Sequence, residues 1–182
     1  MGLKIDWIKG IVTTSPPVPV RSVALKRLAA AGDYAAEDVL SESATNTVGT
    51  PFTFPGVGRT NGGAFRITQA IALLSTTALT PRLTLYLFTT MPSSELDDNA
   101  ANTAVATVDR EGYVGRIEFP AMTDLGGNSE AVAMLDTGSN LPLEGVCAPK
   151  DTRLFGIAVT EDAITGEAAG MTLVFNLFVR PG

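Results

Sequence analysis

Carboxylates are the side chains best placed to do acid–base chemistry in this sequence, because it holds no histidine and a single cysteine, Cys147. Asp109, Glu111 and Glu118 fall close together, the raw material of a glycosidase pair. Asp109-Arg110-Glu111-Gly112 also reads as a turn ahead of a strand, and Glu118 lies opposite Tyr113, Ile117 and Phe119 in that strand. A turn and a solvent-facing position account for these charges without catalysis. Glu95 and Asp97-Asp98-Asn99 could offer calcium its oxygen ligands, but the spacing matches no EF-hand loop, and a solvated acidic turn is the simpler reading. Gly56-Val57-Gly58-Arg59-Thr60-Asn61-Gly62-Gly63 has the glycine content of a phosphate-binding loop without GK[ST] or GxGxxG. Strand-like flanks on both sides make it a connection between strands, with Asn61-Gly62 suited to positive φ. Cys147, ahead of Ala148-Pro149, reads as a small half-buried residue with no neighbour to activate its thiol.

The two scarce residue types set wider limits. Without histidine there is no Ser-His-Asp triad, no Cys-His pair, no imidazole metal site and no histidine pH switch. A lone thiol forms no internal disulfide, no CxxC redox pair and no cysteine zinc site. The expectation is a non-enzymatic chain with no catalytic, metal or cofactor residue, whose fold rests on packing.

Those residues must be positioned by a chain of 182 residues, a length that suits one well-packed domain. Apolar residues make up 45% and charged ones 18%, a globular composition. No apolar run approaches the length needed to cross a bilayer, and the N-terminus lacks a signal-peptide h-region, so a soluble, unprocessed chain with no membrane partner is expected. The net charge of -6 argues against nucleic acid as a partner, since phosphate binding draws on clustered Lys and Arg. That charge is unevenly spread. Residues 1–30 carry five basic side chains against Asp6, or +4, while the remainder carries 8 basic and 18 acidic ones, or -10.

The first twenty residues mix apolar anchors (Leu3, Ile5, Trp7, Ile8, Ile11, Val12) with Pro16, Pro17 and Pro19. Proline fixes φ and extends its predecessor, so Thr14 to Val20 is expected to be extended. Two placements fit: an edge strand folded back on its own domain, or an arm reaching a neighbouring subunit through Trp7 and the isoleucines. Ser22 to Gly32 has no decided period. From residue 51 the strand signals sharpen. Phe52 and Phe54 alternate with Thr53, and Phe65, Ile67, Gln69, Ile71 and Leu73 keep a period of two. Leu83, Leu85 and Leu87 oppose Thr84, Tyr86 and Phe88, and Tyr113, Gly115, Ile117 and Phe119 share a face. Leu154 to Thr160 reads as a strand buried on both sides, and Met171, Leu173, Phe175, Leu177 and Val179 form one apolar face. Short strands with turns between them predict an all-β fold, a two-sheet antiparallel sandwich of jelly-roll type over residues 22–182, preceded by an extended N-terminal arm over residues 1–21.

Several segments together resemble a known group. FTFPGVGRTNGGAFRITQA (52–70), LYLFTTMP (85–92), DDNAA (97–101), DREGYVGRIEFPAM (109–122) and LFGIAV (154–159) are similar, in order, to tailed-phage virion structural proteins encoded near the major capsid gene. The resemblance covers roughly residues 34–179 and carries no catalytic residue with it. It implies a head decoration (cement) protein on the outer capsid surface, holding major capsid subunits together and associating with copies of itself as a trimer.

Under that resemblance the N-terminal segment supplies the anchor. Leu3, Ile5, Trp7 and Ile8 are the expected apolar contacts at the capsid or subunit interface, and Lys4 and Lys9 the charges meeting an acidic partner surface. The other reading is a receptor- or carbohydrate-binding β-sandwich on a tail or fibre, which needs exposed aromatics and amides on loops at one end. Phe52, Phe54, Phe65, Phe119, Phe155 and Phe175 instead fall within strand patterns and read as core.

Overall fold

The computed structural model describes residues 18–21, 25–26, 33–41, 49–76, 79–135, 138–166 and 171–182. Its strands are β1 (Val18–Arg21), β2 (Leu25–Lys26), β3 (Val39–Leu40), β4 (Phe52–Phe54), β5 (Ala64–Leu74), β6 (Leu83–Phe88), β7 (Tyr113–Phe119), β8 (Thr123–Asp124), β9 (Ser129–Met134), β10 (Leu143–Val146), β11 (Leu154–Thr160) and β12 (Thr172–Pro181). All the pairings among them are antiparallel.

Two sheets result. The first runs β1-β12-β5-β9-β8, with β10 also on β5 and β2 also on β12, and the second runs β3-β11-β6-β7, with β4 also on β11. Taking the principal strands β1, β3, β5, β6, β7, β9, β11 and β12 in chain order, one sheet reads first, eighth, third, sixth and the other second, seventh, fourth, fifth. Apart from the β6–β7 link, each step along this series passes from one sheet to the other. That is the strand order of a jelly roll, and the expected all-β sandwich is the fold found.

Val18–Arg21, the end of the arm segment, lies against Asn176 to Val179 of β12, with Pro19 opposite Phe178. Proline is tolerated there because an edge strand has a side that needs no ladder donor. Residues 1–17 lie outside the described residues, as do Ser22–Ala24 and Arg27–Gly32 of the segment with undecided period.

The core lies between the sheets. Phe175 from the first sheet packs edge-on against Phe52 of the second at 4.8 Å between ring centroids and meets Phe119 at 5.5 Å. Ile67, Leu85, Leu87, Leu154, Leu173 and Leu177 fill the space around them. The six phenylalanines read as core are all buried. So is the whole of Leu154–Thr160, as its uninterrupted apolar run suggests.

Two alternating patterns break where the backbone inserts a residue. On β5 the inward series is Phe65, Ile67, then Ala70, Ala72, Leu74, which leaves Gln69, Ile71 and Leu73 half-buried on the outside, contrary to the simple period of two. The cause is a β-bulge. The register passes from Val179 opposite Ile67 to Phe178 opposite Gln69, so Thr68 is unpaired and the phase flips. On β7 the register slips between Leu87 opposite Gly115 and Phe88 opposite Tyr113. Val114 therefore turns to the core, and Tyr113 joins the outer face with Phe88.

Candidate interaction surfaces

Four of the acidic residues singled out for chemistry, Glu95, Asp97, Asp98 and Asp109, accept hydrogen bonds from backbone donors. Asp109 is buried in a single-turn 3-10 helix, Thr107–Asp109, where its Oδ1 accepts from the backbone N–H (2.8 Å) and hydroxyl (2.9 Å) of Ser93 and its Oδ2 from those of Ser94 (2.7 and 2.6 Å). Burial pushes its pKa up, and these four hydrogen bonds outweigh it, so the carboxyl lies below its usual range. Asp98 is also buried and accepts from the Tyr34 hydroxyl and the Ser41 N–H, both at 2.7 Å. Asp97 accepts from Gly49 N–H at 3.0 Å, and Glu95 Oε1 from the N–H groups of Leu96 and Asp97. The acidic turn expected to be solvated at 95–99 thus has one buried anchor, Asp98, beside the half-buried Glu95 and Asp97. Glu118 pairs with Arg116 at 2.8 Å on the outer face of β7. Among the described residues no cluster of three or more acidic or thiol side chains could hold a metal ion.

The glycine-rich connection joins β4 to β5, and Gly62 has a φ of +68° as expected for Asn-Gly. Three of its donors are occupied: Gly58 N–H bonds Thr152 O, Gly62 N–H bonds Asp151 O and Gly63 N–H bonds Thr60 O. Cys147 is buried beneath it rather than half-buried, and burial raises the thiol pKa, which keeps the thiol protonated.

The anchored carboxylates have a structural consequence. They hold residues 89–112, the β6–β7 connection, over the outer face of the second sheet, where Val39, Phe88, Ile157 and Val159 form a small core of their own with Leu96, Ala104, Val105 and Tyr113. The part of that face left open is polar. It is a cleft of about 460 Å³ lined by Glu37, Tyr86, Asn102, Arg116, Glu118 and Glu161.

The outer face of the first sheet differs. Its outward residues include Ile71, Leu73, Val132, Val174 and Phe178, all half-buried, and at one end Met134 (47% exposed), Leu135 (44%) and Val146 (59%). A second cavity of about 460 Å³ opens among Arg66, Thr68, Gln69, Met134, Leu135 and Arg180. Arg180 of β12 stands directly opposite Arg66 of β5, and Glu144 of β10 opposite Arg66 on the other side, with a 3.2 Å ion pair between Arg66 and Glu144. Strand alternation makes each arginine's outward direction readable in the sequence. Their juxtaposition, set by register between strands over a hundred residues apart, is not.

The sequence-predicted interface residues Leu3, Lys4, Ile5, Trp7, Ile8 and Lys9 lie outside the described residues.

No family model and no curated protein matches this chain. Solved structures do. One from black queen cell virus is 9% identical over 100% of this chain and 77% of its own, with a TM-score of 0.34. One from a heated full particle of Israeli acute paralysis virus is 12% identical over 98% of this chain and 72% of its own, with a TM-score of 0.38. A chain of Desmodium yellow mottle tymovirus is 11% identical over 91% of this chain and 87% of its own, with a TM-score of 0.28. The jelly roll itself stands on the strand order.

Proposed function

We propose that this chain is a structural protein of a virion, and that it decorates the outer surface of a tailed-phage head, stabilising it by bridging major capsid subunits. One observation carries the reading. The fold is a jelly roll whose second sheet is capped by its own loop, while the first presents a face of apolar side chains and arginines that is uncapped among the described residues. A patch of exposed apolar groups ringed by charge is what a subunit that works by burying surface against neighbours requires. The resemblance of residues 34–179 to decoration proteins agrees with it. Two of the candidate carboxylates, Asp98 and Asp109, are committed to backbone donors, which fits a scaffold.

In this reading residues 1–17 anchor the subunit, with Leu3, Ile5, Trp7 and Ile8 as apolar contacts and Lys4 and Lys9 facing an acidic capsid surface. Electron microscopy of purified virions with this protein gold-labelled tests the location. Label over the head is expected; label on the tail alone overturns the proposal in favour of a receptor-binding role. Deleting residues 2–16, which spares β1, is expected to abolish binding to undecorated capsids, and unchanged occupancy refutes the anchor.

A further inference from the structure

The geometry points to the outer face of the first sheet as a self-association surface, on which Arg66 and Arg180 receive carboxylates from the acidic surface of a second copy of this chain. The inference rests on the structural-protein reading only for its biological setting.

Three observations carry it. The first is a placement that folding alone does not favour. Arg66 and Arg180 are direct cross-strand neighbours, and like charges opposite each other weaken a sheet. Glu144 balances Arg66, but among the described residues Arg180 has no acidic partner, so the row Arg180–Arg66–Glu144 is left one positive charge in excess. The second is the company these arginines keep. Of the six large apolar side chains most exposed among the described residues, Met134, Leu135 and Val146 belong to this end of this face. Arginine beside exposed methionine is a composition enriched at interfaces.

The third concerns the occupant. Beyond residue 30 the chain carries 18 acidic against 8 basic residues, so a second copy is acidic overall outside its first thirty residues. The opposite outer face shows this directly, with Glu37, Glu118 and Glu161 around the polar cleft against a single Arg116. The row Arg180–Arg66–Glu144, one positive charge in excess, is a poor partner for its own image in direct register, so the inferred contact is heterologous: the arginine end of this face on one copy meets an acidic surface of the next.

The test is sedimentation velocity on the full chain across a concentration series, at low and at raised salt, with circular dichroism to confirm that each variant is folded. Self-association that weakens with salt is expected. The double variant Arg66→Glu, Arg180→Glu should associate at least tenfold more weakly, and Met134→Ser with Leu135→Ser should do the same through lost burial. Mixing the arginine double variant with Glu118→Lys, Glu161→Lys should restore association in a complex that neither forms alone. A native chain that stays monomeric throughout, or association untouched by either double variant, overturns the inference. So does association by folded variants that is equal at both salt levels. Head labelling with a monomeric chain would retain the virion role and remove this inference; self-association without virion labelling would do the reverse.

Discussion

The Tyr34 hydroxyl donates to Asp98 Oδ2 at 2.7 Å, joining positions 64 residues apart and tying the segment before β3 to the long β6–β7 connection. Asp98 also accepts from Ser41 N–H, so one buried carboxylate holds both ends of β3 in place against that connection. Asp109 does the same work further along, binding residues 93–94 back to the 3-10 turn. Acidic residues that look like solvated turn charges are, in the folded chain, what keeps the loop over Phe88 and Ile157.

Removing one of these anchors should therefore cost more than removing a surface charge. Asp109→Ala leaves the backbone N–H groups of Ser93 and Ser94 without their acceptor, a loss of about 1–3 kcal/mol. The neighbouring Glu111→Gln, at an exposed position, should fall within about 0.5 kcal/mol of the native chain. Urea unfolding measures both, and amide exchange should quicken at residues 93–94 in the first variant alone. Equal stabilities for the two variants would show that the loop does not depend on Asp109.

Acid sensitivity follows from the same chemistry. Asp151 is held at about 2 chiefly by the side-chain hydrogen bond from Arg153, whose guanidinium also lies over the Phe155 ring at 5.4 Å. Asp162 is lowered by Arg82, which it meets at 2.6 Å, and Asp109 by its serines. Each folded-state value lies below the unfolded one, so each group contributes stability above an unfolded pKa of about 3.9 and loses it as pH falls through the folded value. Stability should be flat from neutrality to about pH 5 as far as these groups are concerned and should then decline towards about pH 2. Carbon-detected NMR titration should place Asp151 near the lower limit in the native chain. In Arg153→Ala it should move up towards about 3.9. An unmoved Asp151 in that variant would remove Arg153 as the cause.

Where the chain alternates without interruption, its sequence shows the fold well. Leu173, Phe175, Leu177 and Val179 face the core as their spacing suggests, and Leu154–Thr160 is buried on both sides as an unbroken apolar run should be. The failures sit at bulges. Thr68 carries no composition signal that it will be skipped by β12, yet skipping it moves Gln69, Ile71 and Leu73 out of the core and Ala70, Ala72 and Leu74 into it. Val114 does likewise to Tyr113. A turn signature reports local backbone, whereas the burial of Asp98 and Asp109 is decided by a loop folding over a sheet. The pairing of Arg66 with Arg180 depends on β5 meeting β12, a long-range register that neither strand's own residues declare.

Gly156 offers the sharpest check on the core. It lies in β11 between β4 and β6, where a Cβ would stand 2.8 Å from Leu85 Cδ1 and 3.1 Å from Phe54 Cε2. Gly156→Ala overfills the space between the sheets and should destabilise by about 1–3 kcal/mol. Leu85→Ala, at a fully buried site, opens a cavity and should cost about 2–5 kcal/mol. Because the added methyl would occupy the space that Leu85 Cδ1 vacates, the two changes must interact. The double variant should be more stable than the two separate losses added together, by a coupling of about 0.5–3 kcal/mol. Denaturant unfolding of the four-member cycle measures this, and strict additivity would mean that β11 does not pack against Leu85 in the way described.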